Sequence, residues 1–171
     1  MPRPNSERPY AVPTSLGRWR AVFTDAGLRE LSLPGSRGGG AAPALPKLDG
    51  QEGAWGRKLA AALRARLDGK RADLPWEFLD LRERPPFFIR VWKAMYAIPF
   101  GAVRTYGQIA AAAGSPNAVR AAGQACGANP IVLFIPCHRV VAANGPGGFG
   151  SGLEWKAKLL ALEGVALKEK V

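Results

Sequence analysis

The residues best suited to chemistry are Cys137 and, directly after it, His138, the one histidine among 171 residues. A thiolate is a nucleophile, and a neighbouring imidazole or a basic field can lower a thiol pKa from about 8.5. The apolar, β-branched run at 131–135 predicts a buried strand that carries the thiol at its end. Adjacent strand residues point to opposite faces, so cooperation of the two side chains requires a turn or a bridging water. A small buried thiol and a satisfied core histidine are the alternatives.

Ligands for a metal ion are scarce in this sequence. The second cysteine, Cys126, is predicted to pack in the core, and a chain of this size needs no disulfide to fold, so we expect two free thiols. With one histidine the usual zinc-ligand sets are out of reach. We therefore expect neither a metal site nor a cofactor.

The chain is strongly basic, with 24 Lys and Arg against 13 Asp and Glu and a formal charge of +11. Such a charge favours a polyanionic partner, either nucleic acid or an anionic membrane face. No run approaches the roughly 20 apolar residues of a membrane helix, and the first residues contain no apolar stretch of secretory length. We therefore expect an intracellular protein.

The first half of the chain contains signals for a sheet and one helix. Two β-prone runs, 17–24 and 28–33, flank a short turn with a glycine and predict a β-hairpin. The glycine- and proline-rich run at 34–50 predicts a flexible surface loop. Apolar residues every four positions over 52–68 predict an amphipathic helix with its Arg and Lys side chains facing outward, and Gly69 ends it.

The second half reads as mainly helical. A charged run that meets Pro-Pro at 82–86 predicts a boundary between domains 1–84 and 85–171. Apolar spacing from Phe88 predicts a helix that ends before Pro99.

Two short helices are predicted next. Thr105 and Gln108 have the spacing of a capping box, which predicts a helix up to Gly114. Ser115 and Pro116 suit the cap and first turn of a second helix that continues to residue 127. A helix-turn-helix is the resulting prediction, although helical hairpins of this kind also occur in proteins that do not bind DNA.

The segment IPCHRVV at 135–141 closely resembles the active-site motif of the O6-alkylguanine-DNA alkyltransferases, also called methylated-DNA-protein-cysteine methyltransferases. The other matching segments are TYGQIA at 105–110, RAAG at 120–123, NP at 129–130 and LLALEG at 159–164. The resemblance covers roughly 88–164, and we interpret the whole chain as a full-length member of that family.

The resemblance implies an α+β fold, in which a small N-terminal antiparallel sheet and helix support a mainly helical, DNA-binding catalytic domain with a helix-turn-helix. It implies that Cys137 accepts the alkyl group. His138 deprotonates the thiol through water, Glu163 orients the imidazole, and Asn129 braces the adjacent turn. Carboxylate, imidazole and thiol would then form an activated nucleophile.

The resemblance also implies roles toward DNA. Tyr106 and Lys156 would polarise the departing guanine, against the alternatives of a cap-proximal aromatic and a solvated helix charge. Arg120 would enter the base stack in place of a flipped-out guanine. The implied DNA contacts are Arg120, Tyr106, Ser115, Asn117, Ala118, Ala121, Gly123 and Arg139. The implied pocket residues are Val140, Phe149, Gly150, Ser151 and Gly152; Gly150 lacks the hydroxyl that relatives often carry there, and Ser151 narrows a site that is usually glycine.

The implied activity is direct reversal of DNA damage. The alkyl group of O6-alkylguanine, with O4-alkylthymine as a second candidate, would pass to Cys137 after base flipping in duplex DNA. Because a thioether has no easy leaving group, each molecule would react once. We expect a monomer that acts in the cytoplasm, or in the nucleus of a eukaryote. Two rival functions are a non-enzymatic sensor of alkylguanine and a Cys-His hydrolase.

Overall fold

The computed structural model describes residues 7–36 and 50–167. It contains two compact units, which divide between Leu81 and Arg82. The first unit holds a three-stranded antiparallel sheet and a long helix, and the second is mainly helical, so the predicted α+β class is confirmed. None of the helices in the described ranges combines the length and the apolar character needed to cross a bilayer.

The sheet consists of β1 (Arg8–Thr14), β2 (Gly17–Thr24) and β3 (Gly27–Ser32) in the order β1-β2-β3. The predicted hairpin is confirmed as the antiparallel pair β2 and β3. Strand β1 was not predicted, because its two prolines at positions 9 and 13 argue against a strand. They are accommodated because β1 lies at the edge of the sheet, where a missing N–H breaks fewer ladder hydrogen bonds.

Helix α1 (Gly50–Leu67) is the predicted amphipathic helix, and Leu59 and Leu63 are fully buried. Gly69 ends it with a φ of 73°. The expectation that all of its basic residues face outward is wrong for Arg66, which is 2% exposed. Arg66 lies seven positions after Leu59, two helical turns along the apolar stripe, so the helical period carries it into the core. Most of the predicted loop, residues 37–49, lies outside the described residues.

The second unit begins with α2 (Pro86–Tyr96), whose Val91, Trp92 and Met95 are buried as the periodicity predicts. It continues with β4 (Arg104–Thr105), α3 (Tyr106–Ala112) and α4 (Val119–Gly127). It ends with β5 (Val140–Val141), which pairs in parallel with β4, and α5 (Leu153–Leu162). The Trp92 indole N–H donates to the carbonyl of Ala125 at 2.8 Å and thereby ties α2 to α4.

The predicted capping box at the start of α3 is confirmed. Thr105 Oγ1 accepts from the backbone N–H of Gln108 at 3.2 Å, and Gln108 Oε1 accepts from the N–H of Thr105 at 2.8 Å. The predicted start of the second helix at Ser115 is wrong, because α4 begins at Val119. Residues 115–118 form a turn in which the N–H of Ala118 donates to the Ser115 carbonyl at 2.9 Å. A proline in second position suits such a turn as well as it suits a helix start.

The predicted strand at 131–135 is also wrong. The N–H of Ile135 donates back to the carbonyl of Ile131 at 3.0 Å, and the chain reverses at Leu133, whose φ is 79°. A left-handed conformation is uncommon for a bulky residue, so side-chain contacts from elsewhere must hold this turn. Both a buried strand and a buried turn require apolar residues, and composition does not distinguish them.

Candidate active site

Cys137 begins a short 3-10 turn, Cys137–Arg139, which follows the turn at 131–135. Its backbone N–H donates to the carbonyl of Ile135 at 2.8 Å. The thiol is half-buried, whereas the side chains of His138 and Arg139 are buried. Because the motif forms a turn, Cys137 and His138 are not forced to opposite faces as they would be on a strand.

Asn129 follows α4 and contacts both ends of the turn that precedes Cys137. Its Nδ2 donates to the carbonyl of Ile135 at 2.6 Å, and its Oδ1 accepts from the N–H of Ile131 at 3.0 Å. Both isoleucines are fully buried. The Asn129 side chain thus forms hydrogen bonds with one backbone donor before Leu133 and one backbone acceptor after it. These bonds tie the turn at 131–135 to the residue that follows α4.

The thiol of Cys137 is the protonated species at rest. Burial raises its pKa, and a hydrogen bond with Asn129 and the positive charge of Lys156 lower it only in part. Neighbouring groups therefore do lower this pKa, but burial outweighs them. A reaction at Cys137 needs a base that removes the proton as the electrophile is attacked.

The candidate base is His138, which follows Cys137 in the chain and belongs to a buried cluster with Glu163. The His138 Nε2 atom lies 2.8 Å from Oε1 of Glu163, which follows the last residue of α5. Burial alone would raise the pKa of Glu163, but hydrogen bonds from His138 and Arg139, the positive charge that His138 carries when it is protonated, and the N–H of Gly101 lower it to about 2. Glu163 is thus an ionised carboxylate that accepts hydrogen bonds from His138, Arg139 and the N–H of Gly101.

Arg139 is buried and not on the surface where a DNA contact was expected, and that contact stays a prediction. Its side chain is 3% exposed. Nε donates to Oε2 of Glu163 at 2.9 Å, Nη2 donates to Oε1 at 3.0 Å, and Nη1 donates to the carbonyl of Ile98 at 2.6 Å. A guanidinium with these three bonds is not placed to meet a phosphate.

Lys156 is fully buried, so the alternative of a solvated helix charge is wrong. Its ammonium donates to the carbonyls of Val140 at 2.6 Å, Pro146 at 2.6 Å and Gly148 at 3.0 Å. An ammonium has three protons, and here all three are donated to the backbone. Burial lowers the pKa of Lys156 to about 8, although interactions with Cys137 and Cys126 oppose that shift.

Tyr106 lies at the first position of α3 and its hydroxyl donates to the carbonyl of Gly148 at 3.3 Å. The same carbonyl accepts from Lys156. A Cβ at Gly147 would come within 2.9 Å of the tyrosine ring, so only glycine lets the loop approach Tyr106 this closely. The carbonyl of Gly148 and the close approach at Gly147 were not predicted, since backbone groups leave no signal in side-chain spacing.

The predicted DNA-contact residues in and before α4 are at least partly accessible. Arg120 and Asn117 are exposed, whereas the core side of α4 is formed by Ala122, Ala125 and Cys126. Partial exposure is shared by Ser115, Ala118, Ala121 and Gly123. Val119 was not predicted, and at 42% exposure it is one of the exposed large apolar side chains of the described chain.

The predicted pocket residues divide into two groups. Val140 is buried in β5 and presents its carbonyl to Lys156. Phe149 to Gly152 form a turn closed by the N–H of Gly152 on the Phe149 carbonyl at 2.9 Å. Phe149 and Ser151 are half-buried, whereas Gly150 and Gly152 are exposed. A Cβ at Gly150 would meet nothing within 4 Å, so this glycine is not required by crowding.

Cys126 is buried, as predicted, and its Sγ lies 3.4 Å from Sδ of Met95. Burial raises its pKa to about 12. Within residues 7–36 and 50–167, no three His, Cys, Asp or Glu side chains come together in a way that could hold a metal ion.

Residues 86–165 match the family model described as 6-O-methylguanine DNA methyltransferase, DNA binding domain. Over 86 residues, half of this chain, it is 56% identical to a probable methylated-DNA--protein-cysteine methyltransferase of Acanthamoeba polyphaga mimivirus. It is 52% identical over 86 residues to the methylated-DNA--protein-cysteine methyltransferase of Mycolicibacterium paratuberculosis. The matched segment spans 58% and 52% of these two relatives. The crystal structure of Mycobacterium tuberculosis OGT in complex with DNA has a TM-score of 0.75 and 32% identity, and covers 91% of this chain and 92% of that one.

Proposed function

The chain belongs to the 6-O-methylguanine DNA methyltransferase family, and from that membership we propose that it repairs duplex DNA by moving the alkyl group of O6-alkylguanine onto Sγ of Cys137. The observation that carries the proposal is a half-buried cysteine followed in the chain by a buried histidine, whose imidazole contacts a buried carboxylate. The same three residue types form an activated nucleophile in other enzymes.

In the proposed reaction, Sγ of Cys137 attacks the alkyl carbon, an S–C bond forms, and the bond from that carbon to O6 breaks. The thiol proton passes through a water molecule to His138. Because Nε2 of His138 faces Glu163, the proton must arrive at Nδ1. The guanine leaves as an anion and takes up a proton from solvent, and His138 returns the thiol proton to solvent, so charge and protons balance. The product is a thioether, which neither water nor a second thiol displaces, and each molecule reacts once.

The leaving guanine needs a hydrogen-bond donor to stabilise its developing negative charge. We assign this role to Tyr106, because its hydroxyl makes only a long bond of 3.3 Å to Gly148 and can turn to a guanine with little loss. Lys156 serves differently from the polarising role first expected. With all three protons donated to carbonyls, it fixes the loop at 146–148 that faces Tyr106.

DNA is the proposed partner, and the accessible side of α4 is the proposed contact. A buried alkyl carbon in a base pair is reached only if the nucleotide is flipped out, and a side chain must fill the gap in the stack. Arg120 is exposed near the start of α4 and carries the charge and length for that task. The small residues around it, Ala118, Ala121 and Gly123, allow the backbone to approach the groove.

The proposal assigns catalysis and DNA binding to residues 85–171 and a supporting role to residues 1–84. It describes a monomer that acts where DNA is held, in the cytoplasm or in the nucleus of a eukaryote. O4-alkylthymine is a second candidate substrate.

Intact-mass measurement after incubation with duplex DNA bearing O6-methylguanine tests the proposal. The protein should gain the mass of one CH₂ group, on the peptide that contains Cys137, in at most one equivalent. Cys137→Ser should show no gain while it still binds the duplex. The matched control is Cys126→Ala, which removes the other thiol and should retain transfer.

Two results would overturn the proposal in favour of the rivals. Tight binding to the alkylated duplex without a mass gain in the unaltered protein would indicate a sensor. Product in excess of the protein present would indicate a hydrolase with turnover.

A further inference from the structure

We infer that Arg139 is a positioning residue, which keeps His138 neutral and protonated on Nε2, so that Nδ1 can accept the proton of the Cys137 thiol. The inference rests on the proposed function, because it explains how the resting site holds a base ready. Nothing in the sequence pointed to it, since Arg139 was expected on the DNA-binding surface.

The first support is the number of bonds that converge on one carboxylate. Glu163 accepts from Nε and Nη2 of Arg139 at 2.9 and 3.0 Å, from the Gly101 N–H at 3.1 Å, and contacts His138 Nε2 at 2.8 Å. The bidentate fork fixes the plane of the carboxylate, and Nη1 fixes the fork to the carbonyl of Ile98. The position of Oε1 toward His138 is therefore set by Arg139.

The second support is the hydrogen-bonding capacity of that carboxylate. An ionised carboxylate accepts and cannot donate, so the His138 atom that faces it, Nε2, must carry a proton. In a neutral imidazole the other nitrogen, Nδ1, is then an acceptor. The pair Arg139 and Glu163 thus selects the tautomer that suits a base acting through Nδ1.

The third support is charge. Arg139 and Glu163 are buried to 3% exposure each and neutralise one another. A protonated His138 would place a second positive charge on the same carboxylate, beside a guanidinium that does not give up its own. Like charges at this range disfavour ionisation, so the imidazole stays neutral at rest. Without the arginine, Glu163 would favour an imidazolium, which has no site for the thiol proton.

Other ionisable groups of the described chain lie near this cluster. Cys137 precedes His138, and the groups that interact with Cys137 are Lys156, Tyr106 and Cys126. Lys156 is positive and Cys137 is protonated at rest, so neither adds negative charge that could hold an imidazolium. Glu163 is an acidic side chain that contacts His138, and Arg139 is its arginine partner.

Because the chain has one histidine, the inference can be tested by NMR without ambiguity of assignment. The imidazole ¹⁵N signals of the full chain, without DNA, are followed from acid to alkaline pH. The unaltered protein should show the neutral form protonated on Nε2 at neutral pH. In Arg139→Gln the midpoint of imidazole protonation should rise by about one to three pH units.

Controls separate charge from folding. Arg90→Gln makes the same substitution at an exposed arginine that contacts Ala113 and Phe87, and it should leave the midpoint unchanged. Arg139→Lys keeps the charge and should lie closer to the unaltered protein than to Arg139→Gln. If Arg139→Gln does not fold, Glu163→Gln replaces it, and there the midpoint should fall because the arginine remains while the carboxylate is lost.

Three NMR results would overturn the inference. The first is a midpoint of imidazole protonation that does not move in Arg139→Gln or, where that variant does not fold, in Glu163→Gln. The second is an imidazolium in the unaltered protein at neutral pH, and the third is a neutral imidazole protonated on Nδ1.

The pH profile of alkyl transfer adds a second readout. Arg139→Gln should move the acidic limb to higher pH by the same interval as the midpoint, whereas a purely structural defect would lower transfer by one factor at every pH. The NMR result does not depend on transfer, so failure of the proposed function appears separately, as absence of a mass gain in the unaltered protein.

Discussion

Replacement of Asn129 by alanine should destabilise the second unit and misplace the thiol. The change removes two hydrogen bonds, the one to the Ile135 carbonyl at 2.6 Å and the one from the Ile131 N–H at 3.0 Å. Both isoleucines are fully buried, so water does not readily replace the lost partner. An unsatisfied buried backbone group costs about 1–3 kcal/mol.

The two losses do not add in full. Leu133 has a φ of 79°, and a turn that loosens releases some of that strain, which is of the order of 1–3 kcal/mol. We therefore expect Asn129→Ala to lower the free energy of unfolding by about 2–4 kcal/mol, or the melting temperature by roughly 4–16 °C. Urea and thermal unfolding measure the two quantities.

The effect on transfer should exceed what stability explains. Cys137 donates its N–H to the same Ile135 carbonyl that Asn129 holds, so loss of the amide moves the anchor of the thiol itself. It also removes a hydrogen bond that lowers the pKa of Cys137, so the thiol becomes harder to ionise. Under conditions where Asn129→Ala is fully folded, single-turnover transfer should slow and its pH profile should move to higher pH.

Asn144→Ala is the matched control, because Asn144 is an exposed asparagine in the same unit. It should change the free energy of unfolding by less than about 0.5 kcal/mol and leave transfer unaltered. If Asn129→Ala were as stable as this control, the turn at 131–135 would form without the Asn129 side chain, and Asn129 would not stabilise it.

Three further predictions concern DNA, pH and the product. Arg120→Ala should slow transfer from duplex DNA far more than transfer from a free O6-alkylguanine base, since only a duplex has a gap to fill; equal losses on both substrates would remove its proposed role. The folded pKa of Glu163 is about 2 against an ordinary 4.5, so its stabilising contribution is complete above the ordinary value and is lost as pH falls toward 2. The difference in free energy of unfolding between the unaltered protein and Glu163→Gln, measured with urea, should therefore shrink by about 3 kcal/mol across that range; a constant difference would refute the lowered pKa of Glu163. Methylation of Cys137 adds carbon beside a braced turn and should lower the melting temperature, since overpacking costs about 1–3 kcal/mol; an equal or higher value would mean the site already has room.

Local signals predicted much of the fold. The β2 and β3 hairpin follows from a glycine turn between β-prone runs, and the start of α3 follows from a capping box whose partners are three residues apart. The α+β class and the family both followed from sequence and are confirmed. These features need no information from distant parts of the chain.

Several features that the sequence did not predict depend on side-chain and backbone contacts that residue spacing does not reveal. The run at 131–135 turns at Leu133 because Asn129 satisfies both ends of the turn, and an apolar run has the same composition in either state. Arg139 is buried because Glu163 receives it 24 positions later in the chain. Lys156 is buried because three carbonyls happen to surround it. The roles of the site residues toward DNA and alkyl groups stay predictions.

The charged groups of the site are satisfied in two separate sets, and this determines the state of the thiol. His138 and Arg139 each bond to Glu163, and Lys156 donates to backbone carbonyls. Neither set leaves a fixed charge strong enough to offset the burial of Cys137, so its pKa stays raised. A thiol reacts far more slowly than a thiolate with stray electrophiles. In the proposed function each molecule uses its cysteine once. A thiol that is deprotonated only when a substrate is bound preserves the nucleophile until then, whereas a permanent thiolate would be consumed by adventitious alkylation or oxidation.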